Sequence, residues 1–108
     1  MSKIIQSPSK RWPGTITLYE PMSYPQLLAW RTAVDAAGEQ TDAMASHHAL
    51  IPGVLACVER WELGGDFPAV VTAENFPATP IKASVSLVGA IAAAVSEILN
   101  AEDEYPNG

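Results

Sequence analysis

Leu50-Ile51-Pro52-Gly53-Val54-Leu55-Ala56-Cys57-Val58-Glu59-Arg60-Trp61 is the stretch on which the fold turns. Its apolar residues Ile51, Val54, Leu55, Val58 and Trp61 recur at steps of three and four, the period of a helix face. That period predicts a core helix over 53–61 and, with it, a mainly α domain. An interior proline removes a backbone hydrogen bond and crowds the preceding turn, so a break is expected near Leu50 or Ile51, with Pro52 opening the helix. Upstream, Asp42 can cap a looser helical turn over 44–49; downstream, Gly64-Gly65 ends the element sharply.

Two further helices flank this one. Ser23 is placed to cap the first, Pro25 fits its first turn, and Leu27, Trp30, Val34 and Ala37 make one apolar face before Gly38 stops it. Arg31 and Asp35 stand at i,i+4 on the other side, the spacing of a surface ion pair. The last helix is expected over 81–100, opened by Thr79-Pro80. Its apolar positions, among them Val85, Val88, Ile91 and Val95, cover more than one face, beside a smooth flank of Ser86, Gly89, Ala90, Ala93 and Ala94. A helix that is apolar nearly all round is buried between other elements or against another chain. Over 66–80 a connection is expected, with Thr72 capping a short turn and Phe76 anchoring it.

The N-terminal quarter reads differently. Alanine is absent from the first 28 residues and occurs 17 times afterwards, and Pro8, Pro13, Pro21 and Pro25 punctuate the beginning. Thr15-Ile16-Thr17-Leu18-Tyr19 alternates at period two, the signature of a short strand, or of one half of a hairpin whose other half is Lys3-Ile4-Ile5-Gln6. A lone hairpin is marginal in water, so this arm must lean on the helices or on a partner. The sequence thus predicts a mainly α, single-domain chain of three to four helices: an extended strand or hairpin arm over 1–22, a helical core over 23–100 and a frayed acidic tail over 101–108.

Composition narrows the chemistry. The 108 residues carry twelve acidic against six basic side chains, a formal charge of −6, which repels phosphate backbones and anionic lipid; neither nucleic acid nor membrane is expected as a partner. The stretch 81–99 is interrupted by Lys82, three serines and Glu97 and is expected to fall short of a membrane span. The N-terminus lacks the apolar core of a secretory signal, which points to the cytoplasm. One cysteine cannot form an internal disulfide. His47 and His48 are adjacent and project about 100° apart on a helix, so they cannot chelate one metal together. Cys57 sits between Ala56 and Val58 as a small hydrophobe, and Glu59 and Glu62 flank Arg60 as an outer solvated face. Gly64-Gly65 lacks the Lys-Ser/Thr of a phosphate loop. No catalytic site, metal or cofactor is therefore expected, and the chain is not expected to be an enzyme. Contact with other proteins is expected instead, through the aromatics Trp12, Trp30 and Trp61 and the last-helix residues Val85, Val88, Ile91 and Val95, against a client or a second copy of the chain.

The linear order of several segments resembles a known family. Arg11-Trp12-Pro13-Gly14-Thr15-Ile16-Thr17-Leu18, then Pro25-Gln26-Leu27-Leu28-Ala29-Trp30, then the stretch 50–61, then Asn75-Phe76-Pro77-Ala78-Thr79-Pro80 and a closing apolar helix, are similar to the small tail assembly chaperones of long-tailed bacteriophages. The likeness spans roughly residues 10–100. It implies a small, acidic, mainly helical protein of the host cytoplasm that binds the tape measure protein, recruits tail tube subunits and is absent from the finished virion. It supplies no catalytic positions. Two other classes fit the composition: a structural tail or neck component, and a host-directed inhibitor whose acidic surface, built from Glu59, Glu62, Asp66 and Glu74, mimics nucleic acid.

Overall fold

The computed structural model describes residues 2–103, in the order β1 (Ser2–Gln6), β2 (Gly14–Tyr19), α1 (Tyr24–Gly38), α2 (Ala43–Cys57), β3 (Val58–Leu63) and α3 (Ile81–Asp103). The strands form one antiparallel sheet in the order β1-β2-β3. Of the two expected forms the hairpin is the one present, with Ile5 opposite Ile16 and Lys3 opposite Leu18. Gly14 starts β2 at φ 136°, a conformation L side chains rarely adopt, and a Cβ there would collide with the Glu62 carbonyl on β3.

The fold is α/β, and the expectation of a mainly α domain is corrected by β3. The predicted helix over 53–61 stops at Cys57, and residues 58–63 pair with β2 instead, Trp61 opposite Ile16 and Leu63 opposite Gly14. The cause lies in the register. Leu18 faces Val58 while Thr17 faces Arg60, so Glu59 is an extra residue, a β-bulge. The bulge turns Val58 and Trp61, three residues apart, onto the same side of the sheet. A strand with one extra residue therefore presents the i,i+3 spacing of a helix face. Pairing also completes the central strand, whose Ile16 and Leu18 are wholly buried and which a hairpin alone would leave with open hydrogen-bonding groups.

A second correction concerns Pro52. No break occurs: α2 runs unbroken from Ala43 to Cys57 with Pro52 inside it. Pro52 and His48, the residue whose carbonyl the proline leaves without its helical donor, are both exposed, so water is at hand where the helix loses one bond. The caps are as expected. Ser23 and Gln26 form a reciprocal capping box on α1, and the Asp42 carboxylate accepts from Ala45 N–H at 3.1 Å on α2.

α1 and α2 make an antiparallel hairpin joined by residues 39–42. Their crossing is close, because a Cβ on Gly53 would stand 2.7 Å from Ala33 Cβ and 3.1 Å from the Trp30 ring. The buried face of α1 is accordingly Trp30, Ala33 and Ala37, and Val34, expected on that face, is 43% exposed. Arg31 and Asp35 are both exposed and form no ion pair; among the described residues the pairs are Lys3–Glu97, Arg11–Asp66 and Arg60–Glu62.

α3 closes the core. Ser84, Leu87, Val88, Ile91, Ala94, Val95 and Ile98 form one buried stripe, joined in a single cluster with Ile16 and Leu18 of the sheet and Ile51 and Val54 of α2. The opposite side, with Val85, Ser86, Gly89, Ala93 and Ser96, is exposed, so the helix has one core face rather than several. It begins at Ile81, and the Pro80 carbonyl accepts its first bond, from Ser84 N–H at 3.0 Å. Residues 101–103 continue α3; the rest of the expected frayed tail lies outside the described residues.

Candidate interaction surface

The aromatic residues singled out in the sequence are brought together, but inward. Trp12 is 1% exposed, stacks edge-on against Phe67 at 5.5 Å, and belongs with Trp61 and Phe76 to one aromatic cluster beneath the loop after β3. Trp61 is half-buried, and Trp30 is buried between α1 and α2. Val88, Ile91 and Val95 line the core stripe of α3. Of the seven candidate contact residues only Val85, at 48%, is exposed.

A polar clasp holds the aromatic cluster shut. The indole N–H of Trp12 donates to Asp66 Oδ1 and Arg11 Nη2 donates to Oδ2, both at 2.7 Å. These bonds, the indole's first and then the guanidinium's, hold the Asp66 carboxyl below the ordinary carboxylate range. The short turn after it forms as expected: Thr72 and Asn75 exchange side-chain to backbone bonds at 2.6 and 3.2 Å, and Phe76 is buried.

The remaining reactive side chains are built into the packing. Burial pushes the Cys57 thiol up to about 11, which keeps it a poor nucleophile. His47 Nε2 lies 2.9 Å from Ser84 Oγ, a bond that fastens α2 to α3 through a wholly buried hydroxyl. Desolvation first, and the neighbouring His48 second, lower the pKa of His47. Among the described residues no group of three His, Cys, Asp or Glu side chains is placed to hold a metal. The acidic residues Glu59, Glu62 and Asp66 are engaged within the chain: Glu59 accepts from Ser2 Oγ at 2.8 Å and Glu62 lies 4.0 Å from Arg60.

Two concave surfaces stand out among the described residues. A cleft of about 580 Å³ lies between the start of α1 and the end of α3, with Arg31, Ser96 and Asn100 among its walls. A groove of about 500 Å³ runs along the outer side of the α1/α2 crossing. Its floor is alanine (Ala29, Ala33, Ala36 and Ala49), its walls Pro25, Leu28 and Pro52, and Thr32 is its one polar residue. The close approach at Gly53 draws the two helices together and leaves this shallow trough above small side chains. From residue 25 to residue 36 at 1.5 Å per residue the trough is about 16 Å long, three turns of a docked helix. Leu28, half exposed, stands free at its lip. Sequence patterning missed the groove because alanines read as helix filler, and only the contact between helices makes them a surface.

α3 has a further property that the interrupted apolar pattern hid. By length and composition, residues 81–101, with a mean hydropathy of 1.6, would suffice to cross a membrane, although their core face packs on the sheet and α2. Comparison with protein-family models, curated proteins and solved structures finds no match for this chain.

Proposed function

We propose that this chain is a tail assembly chaperone of a long-tailed bacteriophage. It acts without catalysis or cofactor in the host cytoplasm, holding apolar helical segments of the tape measure protein and helping tail tube subunits to assemble around it. The observation that carries this reading is the groove: two separate runs of the family-like sequence, 25–30 and 50–61, supply Pro25, Leu28, Ala29 and Pro52 to one uncharged trough. Such a trough accepts an amphipathic helix through apolar side chains at i, i+3, i+4 and i+7, the helix-in-groove mode of recognition. The chain's net charge of −6 keeps an aggregation-prone complex dispersed. The acidic-mimic alternative has less support, because Glu59, Glu62 and Asp66 are tied to partners of their own chain. A structural tail component would be recovered in purified particles, a chaperone would not.

The test is co-expression with a tape measure protein. The chaperone should keep it soluble and co-purify with it, and Leu28→Asp or Ala36→Arg, which charge the groove from exposed or half-exposed positions, should abolish capture while leaving the helical circular dichroism unchanged. Capture that survives both substitutions, or no capture by the unmodified chain, overturns the proposal.

A further inference from the structure

The two edges of the sheet are defended unequally. Natural proteins blunt an edge strand with bulges, charges and proline. The β3 edge has the Glu59 bulge and the charged residues Arg60 and Glu62. The β1 edge, Ser2-Lys3-Ile4-Ile5-Gln6, has no bulge, no proline and one charge, and that charge is turned inward: Lys3 lies on the core side opposite Leu18, with Nζ 3.5 Å from Glu97 of α3. Ile4, on the outer face, is 64% exposed.

The direction of the free hydrogen-bonding groups follows from the register. In an antiparallel pair, residues alternate between hydrogen-bonded and non-hydrogen-bonded positions. Ser7 N–H donates to Gly14 O at 2.9 Å, which makes Ser7–Gly14 a bonded position and, stepping by two, Ile5–Ile16 and Lys3–Leu18 as well. On the other side, Gly64 N–H donates to Pro13 O at 2.7 Å, which places the bonded positions of β2 toward β3 at Thr15 and Thr17, in agreement with that alternation. Ser2, Ile4 and Gln6 therefore direct their N–H and C=O groups away from the sheet.

We infer that β1 pairs antiparallel with β1 of a second copy of this chain, about a twofold axis at Ile4, to make one six-stranded sheet. The occupant is argued from the strand's own complementarity. About that axis Ile4 faces Ile4, Ser2 faces Gln6 and Lys3 faces Ile5, so no charge meets its like directly. The two Lys3 side chains stand on a diagonal of about 7–8 Å, each beside its own Glu97. All three outward residues fall on bonded positions of the new pair, and the exposed Ile4 side chain is covered by its counterpart. A five-residue strand pair is small beside the interfaces of permanent dimers, so the association is reversible and concentration-dependent. It leaves the α1/α2 groove open and does not rest on the chaperone reading.

Sedimentation of the full chain across the micromolar range tests it, together with two variants. Ile4→Pro removes the outward N–H at an edge position where proline is tolerated, and Ile4→Lys keeps that N–H but sets two ammonium groups face to face. The unmodified chain should dimerise as concentration rises, each variant should raise the dissociation constant about tenfold or more, and Leu28→Asp in the groove should leave it unchanged. Amide exchange at Ile4 should slow with concentration in the unmodified chain alone. A strict monomer throughout, or a dimer that Ile4→Lys leaves intact while the variant remains folded, overturns the inference.

Discussion

Trp12 Nε1 donates to Asp66 Oδ1 across 2.7 Å, joining a wholly buried indole to an exposed carboxylate in the loop after β3. The bond fixes the one polar atom of the largest buried side chain while Arg11 occupies the other carboxylate oxygen. It is the seam between the β1–β2 loop and the loop leaving β3.

That seam makes the fold acid-sensitive in a defined direction. Because the folded carboxyl titrates below its unfolded value of about 4, its contribution is present above that value and is lost as pH falls through the lower folded one. The gap in denaturation midpoint between the unmodified chain and Asp66→Asn should be largest at neutral pH and close as the solution is acidified below about pH 4. A gap that does not change with pH rules out the carboxylate as its source.

His47 acts in the next window up. Its folded pKa is lowered, chiefly by desolvation, so the unfolded chain takes up the proton first and stability falls as pH drops below about 6.5, levelling once the folded ring also titrates. His47→Gln should flatten that part of the stability–pH profile, as read by urea denaturation between about pH 5 and 7.

The α1/α2 crossing tolerates no added methyl group. Gly53→Ala would place its Cβ 2.7 Å from Ala33 Cβ and should cost about 1–3 kcal/mol, in the range of overpacked cores. Ala33→Gly in the same chain should return part of the loss, and a double-mutant cycle measures that coupling.

The two sides of α3 should respond unequally to truncation. Leu87→Ala empties a wholly buried site in the core and should cost about 2–5 kcal/mol. Val85→Ala, on the exposed flank, should stay within about 0.5 kcal/mol of the unmodified chain. Equal losses in chemical denaturation would mean that α3 sits on the core through a different face.

Local chemistry was legible in the sequence where it decides local structure. The Ser23 and Asp42 caps, the β1–β2 hairpin, the Thr72 turn and the single buried anchor of Phe76 all follow from residue types at fixed offsets. What misled is the interval from Val58 to Trp61. Three residues of spacing belong to a helix unless a bulge is present, and a bulge is a property of two paired strands, invisible in one of them. The aromatic and α3 residues expected to face a partner were largely drawn into the core for a related reason: the third strand gives them an interior to occupy. The groove was illegible because it exists only where two helices meet over small side chains.

The order of elements along the chain sets a schedule for synthesis. β2 leaves the ribosome before residues 20–57, which must be made before its second partner, β3, exists, and the stripe of α3 that seals Ile16 and Leu18 emerges later still. The nascent hairpin thus waits with its apolar side bare until its covering helix, which begins only at Ile81, has been made. Premature termination before residue 81 would release a sheet with no lid, a far more aggregation-prone species than one shortened at the opposite end by the loss of β1 alone.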